Sequence, residues 1–205
     1  MVTNSLIPHS EVDRVHNPIG DGNCGFRALA AELFDSEDKY IDIKEAMLNH
    51  YLSNIDGIYK NYDQHQIKGI LYPHSNEWFC VPECAQIASD TFKAPVAIFG
   101  LQSNTFFPLQ HTPLDAERTN PITLHLDAAH IILVKIKHGA HIQWPELDIE
   151  NRGRKKEVLT ADPWYPLFKD VFDRSIRTFT EIFFPNDADI HSIYSSDSEA
   201  VDLTK

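Results

Sequence analysis

The stretch Asp21-Gly22-Asn23-Cys24-Gly25-Phe26-Arg27-Ala28 is the most informative part of this chain. It places a cysteine after a polar, glycine-containing turn and at the start of an Ala/Leu-rich segment that is predicted to be helical. The free N–H groups and partial positive charge of a helix start favour an anion, so a thiol there is easily held as a thiolate. The same turn can direct backbone N–H groups at an oxyanion. The alternative, a core cysteine, is the commoner case for an isolated Gly-x-Cys.

The whole string resembles the signature of the OTU (ovarian tumour) cysteine proteases, which act mostly as deubiquitinases. Asp-Gly-Asn-Cys followed by Phe and Arg at these offsets is a specific match, and it favours a nucleophile over a core cysteine. The resemblance implies that Cys24 is the nucleophile. It also implies that Asp21 shapes the oxyanion loop and that Gly22 and Asn23 form the backbone of that loop.

The resemblance covers about residues 15–145, with its strongest part at residues 20–28. The segments 106–109 and 121–124, followed by the strand that His130 begins, resemble OTU domains found near mobile elements in plants and fungi. The implied fold is α+β (three-layer α/β-like), an OTU-type papain-like cysteine protease fold. In that fold, N-terminal helices pack on a small central, mostly antiparallel sheet.

A thiol protease needs a base within hydrogen-bond reach of its sulfur, and the chain has 11 histidines. In the OTU pattern the base lies late in the domain, at the start of a strand near the sheet centre. His130 begins the apolar run Ile131–Ile136 in that way and is therefore the predicted general base and acid. His125, in the middle of another predicted strand, is the competing residue, and we expect it to be satisfied or solvent-facing.

Many OTU domains follow the histidine with an aromatic residue and then Asn or Asp, which orients the imidazole. Here Ile131 and Ile132 occupy those positions, and their side chains cannot form hydrogen bonds. Some OTU members take the third residue from upstream of the cysteine, which makes Asn17 and Asp13 candidates, with Asp127 less favoured. The other possibilities are a Cys–His dyad and a weakened enzyme.

Periodicity and breakers predict four helices and three strands within this region. The helices are predicted at 24–34, 41–55, 58–71 and 82–92, and the strands at 95–100, 122–126 and 130–136. Residues 1–20 are predicted to be an extended lead-in and residues 101–121 a long connecting loop. The run 141–144 is predicted to extend the sheet through a hairpin that turns at Gly139.

Three parts of the chain differ in character. Residues 1–145 are the predicted OTU-like protease domain. Residues 146–185 are predicted to form a basic linker, with the cluster Arg152–Lys156, and an amphipathic aromatic helix over 163–183. This helix either docks on the protease domain, which we favour, or binds a protein partner or a membrane surface. Residues 186–205 are predicted to be a disordered acidic tail.

The composition narrows the class of protein. The chain has 205 residues, 42% hydrophobic and 23% charged, which is typical of a globular domain. Its net charge of −12 argues against nonspecific nucleic-acid binding and suits a partner with a basic face, such as ubiquitin. Three cysteines, no signal-peptide pattern and no apolar run of about 18 residues predict a protein of the cytoplasm or nucleus without a membrane span.

No cofactor or metal is predicted. Cys80 and Cys84 are four residues apart, but no second Cys/His pair lies nearby at the spacing of a zinc site. The glycines around Cys24 lack the lysine or the spacing of a phosphate-binding loop. Trp78 is predicted either to wall the substrate groove or to be a core tryptophan.

These observations together predict a thiol-dependent deubiquitinase that cleaves isopeptide bonds after the C-terminal glycine of ubiquitin. A catalytically weakened, ubiquitin-binding interaction module is one alternative. A protease for another ubiquitin-like modifier or for a polyprotein is another.

Overall fold

The structure, a computed structural model, describes residues 7–100, 103–149 and 156–183. A five-stranded sheet is at its centre, in the order β1-β5-β4-β2-β3. The strands are β1 (Val12–His16), β2 (Val96–Gly100), β3 (Asn104–Phe106), β4 (Ile122–Asp127) and β5 (His130–Ile136). Only β2 and β4 are parallel neighbours, and every other pair is antiparallel. The predicted mixed fold with a mostly antiparallel sheet is therefore confirmed.

Four α-helices come between β1 and β2 in the chain: α1 (Cys24–Phe34), α2 (Tyr40–Asn54), α3 (Gln64–Leu71) and α4 (Glu83–Thr91). Short 3-10 turns lie at His9–Glu11 and Glu37–Lys39. All four predicted helices are present, but the one predicted from residue 58 begins only at Gln64. The reason is Asp63, whose side chain accepts hydrogen bonds from the backbone N–H groups of His65 and Gln66 and so caps the helix.

The main core lies between the helices and one face of the sheet. Strand residues such as Leu124, Ile131 and Leu133 are buried there together with α1. The first eight residues of α1, Cys24–Ala31, are all buried, which explains why this helix is built largely from small and apolar side chains. A smaller cluster covers the other face and includes Phe99 and Val134. The helix that carries the cysteine is thus a central element of the fold.

Three local predictions need correction. Residues 12–16 of the predicted lead-in form strand β1, and residues 104–106 of the predicted loop form β3. The predicted hairpin extension at 141–144 is wrong, because these residues form no strand. Strand β5 is already flanked by β4 and β1, so both of its hydrogen-bonding edges are occupied and no place remains beside it.

The chain divides into two compact units, Met1–Asp148 and Ile149–Lys205. The second contains α5 (Lys156–Thr160) and α6 (Lys169–Phe183), so the helix predicted over 163–183 begins six residues later than expected. In the residues before α6, the side chain of Asp162 accepts a hydrogen bond from the backbone N–H of Trp164 and stabilises a turn where the helix was predicted to begin. Whether this helix docks on the predicted protease domain stays a prediction, as does the division at residues 145 and 185.

Two predicted features lie outside the described residues. They are the acidic tail 186–205 and all but the last residue of the basic cluster Arg152–Lys156. Within residues 7–100, 103–149 and 156–183, no helix is long and apolar enough to cross a membrane.

The close packing of α1 gives a first prediction, at Gly25. A Cβ atom added there would lie 2.6 Å from Cβ and Cγ of Phe79, so Gly25→Ala is expected to destabilise the protein by about 1–3 kcal/mol. The matched control is Gly69→Ala in α3, where a Cβ would meet nothing within 4 Å and alanine should add about 0.5–1 kcal/mol. Urea unfolding measures both, and equal free energies of unfolding for the two variants would contradict the packing argument.

Candidate active site

Cys24 is the first residue of α1 and is 6% exposed. Its Sγ accepts a hydrogen bond from the backbone N–H of Ile131, with the two atoms 3.4 Å apart. The start of β5 therefore meets the start of α1, and the two segments predicted to hold the nucleophile and the base lie together. Because the first N–H groups of a helix have no partner within it, the N–H of Cys24 can serve an external acceptor.

His130, the first residue of β5, has its ring held by Asn17. Its Nε2 lies 2.7 Å from Oδ1 of Asn17, which directly follows β1. Since a carbonyl oxygen only accepts hydrogen bonds, Nε2 carries the proton and Nδ1 keeps its lone pair. A Cβ atom added at Gly20 would lie 3.8 Å from Nδ1, so this edge of the ring borders the loop that leads to Cys24.

Neither of the other residues considered for orienting the imidazole forms a hydrogen bond with it in the described part of the chain. Asp13 is exposed on β1, and Asp127 is exposed at the end of β4, where it lies opposite His130 in the β4–β5 pair. Ile131 is buried in the main core, while Ile132 packs in the cluster on the opposite face of the sheet. The structure therefore brings Asn17 to the ring, and its role as the orienting residue stays a prediction.

His125 lies on the opposite face of the sheet from Cys24. Its neighbour Leu124 points into the main core beside α1, and side chains alternate along a strand, so His125 points the other way. It is 8% exposed, and its Nδ1 has no hydrogen-bond partner among the described residues. Burial lowers the pKa of His125. The expectation of a satisfied or solvent-facing histidine is therefore wrong.

Asp21 shapes the loop before the cysteine through its two carboxylate oxygens. Oδ1 accepts a hydrogen bond from the backbone N–H of Asn23 at 3.0 Å. Oδ2 accepts two from Arg27, one from Nε at 3.1 Å and one from Nη2 at 2.7 Å. The hydrogen bonds from Arg27 are the main reason why the pKa of Asp21 is lowered, so this carboxylate is charged and committed to the loop.

Gly22 and Asn23 complete that loop. Gly22 has φ +89°, and a Cβ atom there would lie 2.4 Å from the backbone oxygen of Asn76, so only glycine fits. Asn23 is fully buried, and its Nδ2 donates to Oδ1 of Asn76 at 3.3 Å. Because the backbone N–H of Asn23 is used by Asp21, the N–H of Cys24 is the better donor for an oxyanion.

A cavity of about 160 Å³ adjoins the sulfur. Its lining is mostly apolar and consists of Cys24, Trp78, Phe79, Val81, Leu126, Ala128, Ala129 and Ile131. Trp78 is 62% exposed, so the alternative of a core tryptophan is wrong. Trp78 and Phe79 also line a wider cleft of about 810 Å³ that includes residues of α3. The predicted groove-wall role of Trp78 stays a prediction.

The sequence reasoning missed Lys44, Ser75 and Asn76. Lys44 lies on α2 among the buried residues Ile43, Met47 and Tyr51, and it is itself fully buried. A lysine on the apolar face of a helix was the one available signal, because such a side chain needs buried acceptors. Asn76 and Ser75 lie in an irregular segment without periodicity, so nothing in the sequence pointed to them.

Cys80 and Cys84 have their sulfur atoms 3.4 Å apart and are both free thiols. Over the three described ranges, no cluster of three or more His, Cys, Asp or Glu side chains is arranged to hold a metal ion.

No protein-family model and no curated protein matches this chain, whereas solved structures do. The viral OTU domain protease from Qalyub virus is similar, with 19% identity, a TM-score of 0.51, and coverage of 65% of this chain and 89% of that one. The OTU domain of OTUD1 is also similar, with 14% identity, a TM-score of 0.47, and coverage of 59% of this chain and 84% of that one. An OTU domain in complex with ubiquitin has 16% identity, a TM-score of 0.44, and coverage of 82% of this chain and 85% of that one.

At this level of identity, the likeness to the Qalyub virus protease establishes the fold. The chain has the OTU-type, papain-like fold that the string around Cys24 predicted.

Proposed function

We propose that this protein is a thiol-dependent deubiquitinase that cleaves isopeptide bonds after the C-terminal glycine of ubiquitin. The observation that carries the proposal is the arrangement at the start of α1. Cys24 lies against the first residues of β5, and the ring of His130 is fixed there by Asn17 through Nε2. A thiol, an imidazole with a free nitrogen and an orienting amide are the three parts of a cysteine protease site.

In the proposed reaction, Nδ1 of His130 takes the proton of the Cys24 thiol. The thiolate attacks the carbonyl carbon of the terminal glycine, and the N–H of Cys24 donates to the resulting oxyanion. The imidazolium then protonates the lysine amine as the C–N bond breaks, which leaves a thioester on Cys24. Water, deprotonated by His130, attacks the thioester and releases ubiquitin with a free carboxylate.

Charge and shape support ubiquitin as the substrate. The net charge of −12 suits the basic face around the ubiquitin tail. The narrow apolar cavity beside Cys24, with the exposed Trp78 at its side, suits an extended chain end without bulky side chains. We also propose that the protein acts in the cytoplasm or nucleus, where a catalytic thiol stays reduced. The likeness to OTU domains of mobile elements stays a prediction.

A ubiquitin probe with a C-terminal electrophile tests the proposal. The wild type is expected to form a one-to-one covalent adduct, and peptide mapping should place it on Cys24. Iodoacetamide, which needs no ubiquitin recognition, is the control for a reactive thiol. Alkylation of Cys24 by iodoacetamide without any adduct of the ubiquitin probe would refute the proposed deubiquitinase activity. Binding of the probe without an adduct would favour the interaction module, and an adduct only with another modifier would favour that substrate instead.

The hydrogen bond between Asn17 and His130 gives a prediction about rate. Asn17→Ala removes the acceptor of Nε2 and leaves the ring free to rotate, so kcat/KM for ubiquitin with a C-terminal fluorophore should fall about 10- to 100-fold. This is less than the loss of about 10⁴ in a serine triad, because a thiolate–imidazolium pair is already activated. Asp13→Ala, an exposed position on β1, is the control and should change the rate little. Equal losses in the two variants would contradict the assignment of Asn17.

A further inference from the structure

Lys44 places a buried ammonium group beneath the active-site loop. Its Nζ donates to Oδ1 of Asn23 at 3.0 Å, to the backbone oxygen of Ser75 at 2.8 Å and to Oγ of Ser75 at 2.9 Å. These three acceptors use all three N–H groups of the ammonium. The ring of Phe26 lies below it, 4.8 Å from Nζ. Lys44 therefore links the residue before the nucleophile to the segment that leads to Trp78.

This cation has no ion-pair partner among the described residues, although its side chain is fully buried. Burial is the main cause that lowers the pKa of Lys44, to about 8. Three groups face it at longer range and oppose this shift: Cys84 on α4, Asp21 in the loop and Glu77 after α3. A buried charge without a counterion disfavours folding, and an apolar side chain of the same length would fill the space without that penalty.

The hydrogen bonds around Lys44 indicate a role for its buried charge. Three hydrogen bonds fix Asn23. Its backbone N–H donates to Asp21, its Oδ1 accepts from Lys44, and its Nδ2 donates to Asn76. The Oγ of Ser75, in turn, donates to the backbone oxygen of Ile70 at the end of α3. The loop 20–23 and the segment 75–78 are thus linked by the hydrogen bonds of one ammonium group and by the hydrogen bond between Asn23 and Asn76.

We propose that Lys44 is a positioning residue for the reaction. Its ammonium group fixes the loop before Cys24, and the segment that carries Trp78, at the spacing that oxyanion stabilisation requires. The expected effect of Lys44 on the rate rests on the proposed function. Its expected effect on the order of the loop does not. A displacement of about 1 Å in such a loop is enough to lower a rate about 100-fold.

The variant that tests this is Lys44→Met, which keeps the length of the side chain and removes its charge and donors. Lys39→Met, an exposed lysine paired with Asp42 just before α2, is the matched control. We expect kcat to fall about 10- to 100-fold in Lys44→Met with KM within about threefold, and the control to be unchanged. Amide hydrogen exchange of residues 20–26 should become at least about tenfold faster, while peptides of β4 and β5 stay protected.

The pH dependence separates positioning from simple stabilisation. Lys44 is protonated below about pH 8 and neutral above it, so its hold on Asn23 weakens as pH rises and the wild-type rate should fall. Between about pH 8 and 10.5 the unfolded chain binds more protons than the folded one, so the contribution of Lys44 to stability rises with pH. A lysine that only stabilises the fold would leave the rate of the folded protein unchanged over this range, whereas a positioning lysine lowers the rate while its contribution to stability rises. The alkaline fall should be smaller in Lys44→Met than in the wild type.

Each outcome decides the inference. Unchanged exchange of residues 20–26 in Lys44→Met would overturn it, and so would an alkaline fall as large in this variant as in the wild type. If the wild type cleaves no ubiquitin substrate, the proposed function fails, while the exchange measurement still decides whether Lys44 fixes the loop. If Lys44→Met does not fold, the wild type alone supplies the test. Its loop exchange, corrected for the intrinsic pH dependence, should accelerate above about pH 8, and a flat profile would overturn the inference.

Discussion

Cys24→Ala is expected to abolish the hydrolysis of di-ubiquitin, with a loss of about 10⁵-fold or more in kcat. The reason is that the thiolate is the only group of the protein that forms a bond to the substrate carbonyl in the proposed reaction. Alanine fits the site without strain, because Cys24 is buried at a helix start and alanine is a good helix former. The variant should therefore fold and still bind ubiquitin. Gel assays of di-ubiquitin and titration of fluorescent ubiquitin measure the two effects separately.

The two remaining cysteines provide the control for this prediction. Cys80→Ala removes a partly exposed thiol beside the wider cleft and should leave the rate within a few fold. Cys84 is fully buried, and desolvation raises its pKa well above the ordinary value, so it is a poor nucleophile. Equal activity of the wild type and Cys24→Ala would reject the nucleophile and, with it, the proposed function.

The sequence predicted the helix that carries the cysteine because all of its signals are local. The turn at Gly22, the run of small residues after Cys24 and the carboxylate at Asp21 lie within eight positions. The strand headed by His130 was equally clear, since its run of β-branched residues favours a buried strand. What the sequence did not contain was the contact between the two segments, which are 107 positions apart.

Strands β1 and β3 were missed because they depend on partners that are distant in the chain. Residues 12–16 contain three polar and two apolar side chains, and only the pairing with β5 makes them a strand. The same pairing decides which residue reaches the imidazole. Asn17 and Asp13 were equal candidates from sequence, and the β1–β5 register, with His16 opposite Leu133, brings the end of β1 rather than its beginning to the active-site edge.

Lys44 shows a different limit of sequence reasoning. Its position on the apolar face of α2 indicates burial, but its acceptors come from Asn23 and from Ser75, in two separate segments. Buried polar networks of this kind depend on tertiary contacts that no periodicity encodes.

His130→Ala is the second large effect that we expect, with a fall of about 10²- to 10⁴-fold in kcat/KM, because a general base and acid contributes about this much. The competing histidine offers a matched control that does not open a cavity. His125→Phe replaces a buried ring, whose Nδ1 has no partner among the described residues, by an apolar ring of similar shape. Its rate should stay within about threefold, and its stability should be unchanged or higher. Steady-state hydrolysis and thermal unfolding measure both.

The sign of the pH effect at His125 makes this comparison decisive. Because burial lowers its pKa below 6.5, the unfolded chain takes up a proton before the folded one does. The stability of the wild type therefore falls as pH drops below about 6.5, and His125→Phe should lose less stability than the wild type over that range. His130 is instead assigned to the reaction, so His130→Ala should lose rate. A large loss of rate in His125→Phe would move the base from the start of β5 to the middle of β4 and would contradict the proposed site.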